Sequence, residues 1–168
     1  MTAASDDISF RITLADEAAT ARLAGRLAKL ARIGDMLALA GDLGSGKTSF
    51  ARAFIRALGH PDEEVPSPTF TLAQSYDTEA GTIWHFDLYR LSGPEEAAEL
   101  GLDEALGSGI SLVEWPERLG RMDVPGRLDV ALSQPPGAEE DARIATLTPG
   151  AGWIPRLKSE FGESEFGA

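Results

Sequence analysis

Short apolar runs alternate with amphipathic stretches along the first third of the chain, which is the pattern of an α/β protein. Residues 8–14 alternate apolar and polar side chains and predict a first strand. Residues 36–40 form a continuous apolar run, which is typical of a buried parallel strand. Asp16 is suited to cap the Ala-rich helix between them, whose leucines recur on one face. The order strand, helix, strand is therefore predicted.

The downstream pattern adds further strands and a less regular end. Two strands at 71–76 and 82–88 are predicted to form a hairpin, and a helix that follows them breaks at Gly101. Apolar runs then predict strands at residues 110–113, 128–132 and 144–147. The stretch at residues 151–168 contains the sequence Ser-Glu-Phe-Gly twice, at 159–162 and 164–167, and is predicted to be a mobile tail. One domain over residues 1–150 and a tail are expected.

Composition and charge narrow the classes of function. The chain has 168 residues, 43% of them hydrophobic, which suffices for a domain with a real core. It contains no cysteine, no signal peptide and no apolar run near the ~20 residues of a membrane span, so a cytoplasmic protein is expected. A net charge of −12 argues for protein partners rather than unaided binding of nucleic acid.

The segment GDLGSGKT at residues 41–48 fits the phosphate-binding loop pattern G-x-x-x-x-G-K-[ST]. It lies between the apolar run and a helical stripe that begins with Phe50 and Phe54, which is the order that such a loop requires. Lys47 is expected to face solvent and reach the β- and γ-phosphates, and the Thr48 hydroxyl to bind Mg²⁺. The predicted nucleotide-binding residues are Asp42, Leu43, Gly44, Ser45, Gly46, Lys47, Thr48 and Ser49.

Hydroxyl groups follow this helix in a segment, residues 65–70, whose two prolines exclude a helix and favour an extended loop. In that loop Ser67 and Thr69 are candidates to meet a γ-phosphate, a metal ion or a water. On these residues alone, a plain connector built from turn-forming residues is the favoured interpretation.

Acidic residues end two of the predicted strands. Period two places His85 and Asp87 on the same face of the second hairpin strand, where Asp87 is a candidate to bind metal or position water. A solvated strand face explains these two residues equally well. Glu114 ends the apolar run 110–113, where a P-loop protein needs its second metal contact.

Four motifs, in this order along the chain, resemble those of the TsaE family: GDLGSGKT at 41–48, SPTF at 67–70, HFDLYR at 85–90 and LVEWP at 112–116. The resemblance spans roughly residues 8–148 and is far more specific than one phosphate loop. It implies a P-loop α/β domain with a mixed, partly parallel central sheet flanked by helices. It also implies an ATPase, with ATP or ADP and Mg²⁺ as cofactors, in the bacterial machinery that makes threonylcarbamoyladenosine in tRNA beside the anticodon.

The resemblance further implies partners and residue roles. The expected partners are the subunits TsaB and TsaD, so that tRNA is met only through that complex and no membrane is involved. Matching positions give expected roles to single residues: Lys47 on the phosphates, Thr48 and Glu114 on Mg²⁺, Asp87 on metal or water, Thr69 as a switch-like residue, Trp115 beside the nucleotide and Glu17 near the base.

Other classes of nucleotide-binding protein are weighed on the same residues. A GTPase needs an Asn-Lys-x-Asp motif, and the chain contains no asparagine. A small-molecule kinase needs a lid that brings arginine to the phosphates, for which Arg118, Arg121 and Arg127 are available. A nucleotide-gated binding module with negligible hydrolysis would show the same sequence features as an ATPase. The kinase and the binding module therefore stay open as alternatives.

Overall fold

The computed structural model describes residues 8–62, 64–66, 72–120, 122 and 124–162. Ser67, Thr69 and Arg121 lie outside the described residues, so the roles predicted for them stay predictions. The strands are β1 (Phe10–Leu14), β2 (Met36–Ala40), β3 (Ala73–Thr78), β4 (Gly81–Asp87), β5 (Gly109–Glu114), β6 (Arg127–Ser133) and β7 (Arg143–Pro149). The helices are α1 (Glu17–Leu30), α2 (Lys47–Leu58), α3 (Pro94–Glu99), α4 (Leu102–Ser108) and α5 (Ile154–Phe161), with a 3₁₀ turn at Pro116–Leu119.

Within the described residues, seven strands form one mixed sheet in the order β1-β7-β6-β2-β5-β4-β3. Strands β4, β5, β2 and β6 run parallel, while β1, β3 and β7 pair antiparallel with their neighbours. The carboxyl ends of the parallel strands therefore meet at one edge of the sheet, where α/β proteins bind their ligands. The register places Leu39, Glu114 and Asp87 side by side at that edge.

Helices cover both faces of the sheet, as its alternating side chains require. On one face α1, α2 and α5 pack over buried residues such as Leu37, Leu39 and Leu112. On the other face α3, α4 and the 3₁₀ turn cover a smaller cluster that includes Phe86 and Val113. The predicted α/β fold with a mixed, partly parallel sheet is confirmed. None of the helices in the described part of the chain is long and apolar enough to cross a membrane.

Local signals in the sequence correspond to local structure at several elements. Asp16 is the N-cap of α1, and its side chain accepts a hydrogen bond of 2.8 Å from the backbone N–H of Ala19. Gly101 separates α3 from α4 with a φ of 86°, a left-handed conformation that glycine adopts without strain. The predicted hairpin is also present, although its turn lies at residues 79–80 and is tighter than expected.

The structure corrects the prediction of a mobile tail for residues 154–161, which form α5. Trp153 and Leu157 are fully buried in the larger core cluster, together with Phe161. The indole Nε1 of Trp153 donates a hydrogen bond of 2.8 Å to the carbonyl of Gly126. These anchors place α5 against the sheet, because a helix that buries three large apolar side chains gains several kcal/mol from burial, roughly 1.5–3 kcal/mol for each. Residues 163–168 lie outside the described residues.

Candidate nucleotide-binding site

The loop between β2 and α2 is shaped by its glycines. Gly41 has a φ of 146°, and a Cβ atom there would lie 2.4 Å from Ser45 Oγ and 2.6 Å from the Leu132 carbonyl oxygen. Gly46 caps α2 in the left-handed region with a φ of 103°. No side chain fits at the first position and few tolerate the backbone of the second, so the curled loop depends on glycine at both. The loop leads directly into the N-terminus of α2, where free N–H groups favour an anion.

Lys47 is buried, which corrects the expectation that it faces solvent. Only 5% of the residue is exposed. Its Nζ donates hydrogen bonds of 2.6 Å and 2.8 Å to the carbonyl oxygens of Gly41 and Asp42, and lies 4.1 Å from the centre of the Trp115 ring. The ammonium group is therefore held between its own loop and an aromatic face.

Burial lowers the pKa of Lys47 below its ordinary value, and nearby carboxylates, chiefly that of Glu114, partly offset the shift. The surrounding carbonyl and carboxylate oxygens stabilise the charged ammonium and so offset part of the cost of burying it. An anionic phosphate at the same place favours the charged form of Lys47 still more, because it adds negative charge close to the ammonium. The electrostatics of the loop therefore suit a phosphate group.

Thr48 and Glu114 come together from the start of α2 and the end of β5. Thr48 Oγ1 donates a hydrogen bond of 2.9 Å to Glu114 Oε1. Asp87 lies beside Glu114 in the register of β4 and β5 and is 6% exposed, and its Oδ1 accepts a hydrogen bond from the Tyr89 N–H. Two carboxylates and a hydroxyl thus share one end of the sheet, next to Lys47.

This set of oxygens fits Mg²⁺. Hydroxyl and carboxylate oxygens are the hard ligands that Mg²⁺ takes, usually from one or two protein carboxylates together with phosphate and water. The 2.9 Å between Thr48 Oγ1 and Glu114 Oε1 matches the spacing of neighbouring ligands on an octahedral ion with bonds of about 2.0–2.1 Å. Thr48 and Glu114 are therefore suited to hold Mg²⁺ with a nucleotide.

A cavity of about 440 Å³ opens above the loop, which is the size of a small-molecule site. Most of the sequence-predicted residues line it: Glu17, Leu43, Gly44, Gly46, Lys47, Thr48, Ser49, Asp87, Glu114 and Trp115. Asp42 and Ser45 do not. The backbone carbonyl of Asp42 and the Ser45 hydroxyl instead face Lys47 Nζ, at 2.8 Å and 3.4 Å. Thr69 lies outside the described residues.

Sequence reasoning missed Arg143, which begins β7 and lines the cavity. Its Nε donates a hydrogen bond of 2.8 Å to the Ser45 carbonyl, and its Nη2 donates one of 2.9 Å to the Gly44 carbonyl. The C=O and N–H of a trans peptide group point in opposite directions. Because Arg143 binds the C=O of these two peptide groups, their N–H groups point away from Arg143. Arg143 thereby fixes the loop and adds positive charge at its rim.

Three further residues that line the cavity, Thr20, Tyr89 and Asp141, were also missed. Thr20 on α1 lies next to Glu17, and Tyr89 lies after β4 with its ring centre 4.9 Å from that of Trp115. Tyr89 is 41% exposed, so the two rings form an aromatic wall at the mouth of the cavity. Tyr89 belongs to the motif HFDLYR and follows Asp87 by two residues, but neither fact indicates its contact with Trp115.

Comparison with known proteins decides the family. The family profile described as "Threonylcarbamoyl adenosine biosynthesis protein TsaE" matches residues 14–143. The chain belongs to the TsaE family. It is 42% identical over 136 residues to the tRNA threonylcarbamoyladenosine biosynthesis protein TsaE of Rickettsia felis, covering 81% of this chain and 78% of that protein.

Relatives in other bacteria and a solved structure agree with this assignment. The Bacillus subtilis protein of the same name is 38% identical over 130 residues, which are 77% of this chain and 78% of that protein. The crystal structure of Bacillus subtilis YdiB is similar with a TM-score of 0.73 and 28% identity, covering 93% of this chain and 95% of that chain. The matched residues of the TsaE profile contain the cavity and end before α5.

Proposed function

We propose that this TsaE family member binds ATP with Mg²⁺ and hydrolyses it to ADP and phosphate, as a component of the machinery that makes threonylcarbamoyladenosine in tRNA. The observation that carries the proposal is the convergence of Lys47, Thr48 and Glu114 in one cavity at the carboxyl ends of the parallel strands. The names of the relatives support the pathway. The test is release of phosphate from ATP by the purified chain, with and without Mg²⁺.

The proposed roles follow from position. The N–H groups at the start of α2 and the ammonium of Lys47 bind the phosphates, and Thr48 and Glu114 hold Mg²⁺. Bound Mg²⁺ supplies neutralisation of the charge on the phosphate oxygens. Asp87, beside Glu114, orients the metal ion or a water. The loop residues Asp42, Leu43, Gly44, Ser45, Gly46 and Ser49 form the cradle, with Trp115 and Glu17 beside the nucleotide and Thr69 as a switch-like residue.

The two acidic residues should differ in their effect on the metal. Glu114→Ala removes the oxygen that lies 2.9 Å from the Thr48 hydroxyl, so we expect it to raise the Mg²⁺ concentration needed for half-maximal hydrolysis. Asp87→Ala leaves that pair in place, so it should mainly lower the maximal rate. Magnesium titrations of both variants measure the difference. An unchanged Mg²⁺ requirement in Glu114→Ala would refute its role as a metal ligand.

The small-molecule kinase is not favoured by the position of Arg127, one of its candidate lid residues. Arg127 begins β6 opposite Met36, the first residue of β2, so it lies at the far end of the sheet from the loop that follows Ala40. There its guanidinium donates to Asp129 and to the Met122 carbonyl. Arg118 is an exposed residue of the 3₁₀ turn. Arg127 is thus committed elsewhere and does not reach the phosphate loop.

We further propose that the partners are TsaB and TsaD and that they stimulate hydrolysis. P-loop proteins that lack a complete catalytic set hydrolyse slowly until a partner orders their switch segments or supplies a charge. The net charge of −12 disfavours unaided binding of tRNA, so the activating partner is expected to be a protein. We expect weak hydrolysis by the chain alone, clear stimulation by the TsaB–TsaD pair, and tighter association with ATP than with ADP.

Phosphate release and pull-down, each with ATP and with ADP, test this partnership. TsaB alone and TsaD alone serve as controls for nonspecific activation. Fast hydrolysis whose rate is unchanged by the TsaB–TsaD pair, by TsaB alone and by TsaD alone would contradict the partnership and favour the small-molecule kinase. Nucleotide-dependent association without any phosphate release would favour the binding module instead.

A further inference from the structure

A buried histidine lies behind the proposed metal ligand. His85 on β4 is fully buried, and its Nε2 lies 2.6 Å from Glu114 Oε2. The other carboxylate oxygen, Oε1, accepts the hydrogen bond of 2.9 Å from the Thr48 hydroxyl. Each oxygen of Glu114 therefore has its own partner, one toward the core and one toward the phosphate loop. His85 does not line the cavity, so any effect it has on a bound ion passes through Glu114.

The second ring nitrogen of His85 shows which way the hydrogen bond runs. Nδ1 is buried and has no hydrogen-bond partner among the described residues. A buried N–H without a partner costs about 1–3 kcal/mol, so the ring proton belongs on the other nitrogen. Nε2–H is then the donor and Glu114 Oε2 the acceptor. The carboxylate receives this bond in addition to the one from Thr48.

Strand pairing makes this contact specific. His85 and Asp87 lie two residues apart on β4 and point to the same face, and Asp87 is the register partner of Glu114 on the parallel strand β5. Asp87 thus reaches the cavity while His85 lies one step deeper in the sheet. The neighbours of His85 on that face, such as Ile83 and Leu112, are fully buried and apolar, and Glu114 is its side-chain hydrogen-bond partner within the described chain.

We propose that His85 is a positioning residue that holds Oε2 of Glu114, presents only Oε1 to a divalent cation, and so makes the site favour Mg²⁺ over Ca²⁺. The proposal rests on the proposed binding of Mg²⁺ with a nucleotide. The bond to His85 holds Oε2 toward the core and leaves Oε1, on the side of Thr48 and the phosphate loop, as the oxygen that faces a bound cation. Such single-oxygen contacts suit the small octahedral Mg²⁺, whereas Ca²⁺ often takes both oxygens of a carboxylate. Partners of this kind orient the ligands of many metal sites.

Three substitutions of His85 and one control substitution test the proposal. His85→Leu removes the donor and keeps an apolar side chain that the surrounding core accepts. His85→Gln places an amide N–H near the position of Nε2, whereas His85→Asn is too short to reach Glu114 and places its amide near Nδ1. Ser111→Ala is the matched control, because Ser111 is fully buried on β5 and its hydroxyl has no partner in the described part of the chain.

The measurement is calorimetric binding of ADP to each variant at rising concentrations of Mg²⁺ or Ca²⁺. We expect His85→Leu and His85→Asn to raise the half-saturating Mg²⁺ concentration by about tenfold, the lower end of the range for such partners. The half-saturating Ca²⁺ concentration should rise less or fall, since Oε2 becomes free to join Oε1. His85→Gln should restore most of the preference for Mg²⁺, and Ser111→Ala should leave both values unchanged.

The possible outcomes separate this inference from the proposed function. If the wild-type chain binds no ADP with Mg²⁺, the proposed function fails. If it does bind but His85→Leu keeps the wild-type ratio of Ca²⁺ to Mg²⁺ concentrations, the positioning role is overturned. An equal loss for both cations, or the same loss in Ser111→Ala, means general loosening and also overturns it. Should His85→Leu not fold, the difference between His85→Asn and His85→Gln decides.

Discussion

Replacing Lys47 with methionine should lower ATP turnover by about 10- to 150-fold, which corresponds to the loss of a charge-assisted hydrogen bond to phosphate of about 1.5–3 kcal/mol. Methionine keeps an unbranched apolar side chain close to the length of the lysine methylenes, while it removes the ammonium that lies over the Trp115 ring. The phosphates then lose the cation that is held inside the curled loop. Phosphate release and binding of ATP analogues by the variant measure the effect.

The burial of Lys47 makes methionine a better test than alanine. Lys47 is 5% exposed and its Nζ bonds the Gly41 and Asp42 carbonyls, so truncation to alanine would leave a hole beside the loop. Lys29→Met is the matched control, because Lys29 is an exposed lysine on α1. Thermal unfolding of both variants shows whether the fold persists. Wild-type turnover by a folded Lys47→Met protein would refute the assignment of the phosphate loop.

The phosphate loop was predictable because its information is local. Residues 41–48 are contiguous, and the strand before them and the helix after them are visible as apolar patterns. Glu114 and Asp87 were also within reach, since each ends an apolar strand and parallel strands bring such ends to one edge. The structure places Glu114 opposite both Leu39 and Asp87, as that reasoning requires.

Contacts between distant parts of the chain were not predictable from the residues. The bond from His85 to Glu114 spans 29 positions and depends on the register of β4 with β5, which the sequence does not reveal. Arg143 lies 98 positions after Ser45 and reaches the loop only because β7 returns beside β6. The burial of Lys47 likewise depends on the ring of Trp115. Each of these contacts can be predicted only once the pairing of the strands is known.

The prediction of a mobile tail at the C-terminal end was wrong for α5, although the sequence contains a pattern that indicates a helix there. Trp153, Leu157 and Phe161 recur every four residues, which is the spacing of one helical face. The repeat of Ser-Glu-Phe-Gly favoured a tail. An isolated helix of this length is also unstable in water. The structure shows why α5 forms despite its length: its apolar face packs on the core cluster that also contains Phe10.

An ion pair also fixes α5, and its removal should destabilise the whole protein. The Arg156 guanidinium donates hydrogen bonds of 2.6 Å and 3.1 Å to the two carboxylate oxygens of Asp35, and one of 2.8 Å to the Leu30 carbonyl at the end of α1. The side chains of Arg156 and Asp35 are only 10% and 5% exposed. Breaking such a buried pair on one side leaves an uncompensated charge.

Arg156→Ala should therefore reduce the free energy of unfolding by about 3–5 kcal/mol, a large part of the stability of a typical domain. Urea denaturation, followed by circular dichroism, measures this loss. Asp35→Asn combined with Arg156→Ala should lose less than the sum of the two single variants, because no buried carboxylate is then left unpaired.

Arg26→Ala is the matched control for this pair. Arg26 also joins α1 to α5, through an ion pair of 3.1 Å with Glu160, but the two side chains are 40% and 35% exposed. Solvent screens such a pair, so the loss from the ion pair should be at most about 1 kcal/mol. A loss in Arg156→Ala no greater than that in Arg26→Ala would show that Asp35 is not left as an unpaired buried charge. A larger loss, relieved in the double variant, identifies the buried pair as the anchor that orders α5 beyond the residues shared with the family profile.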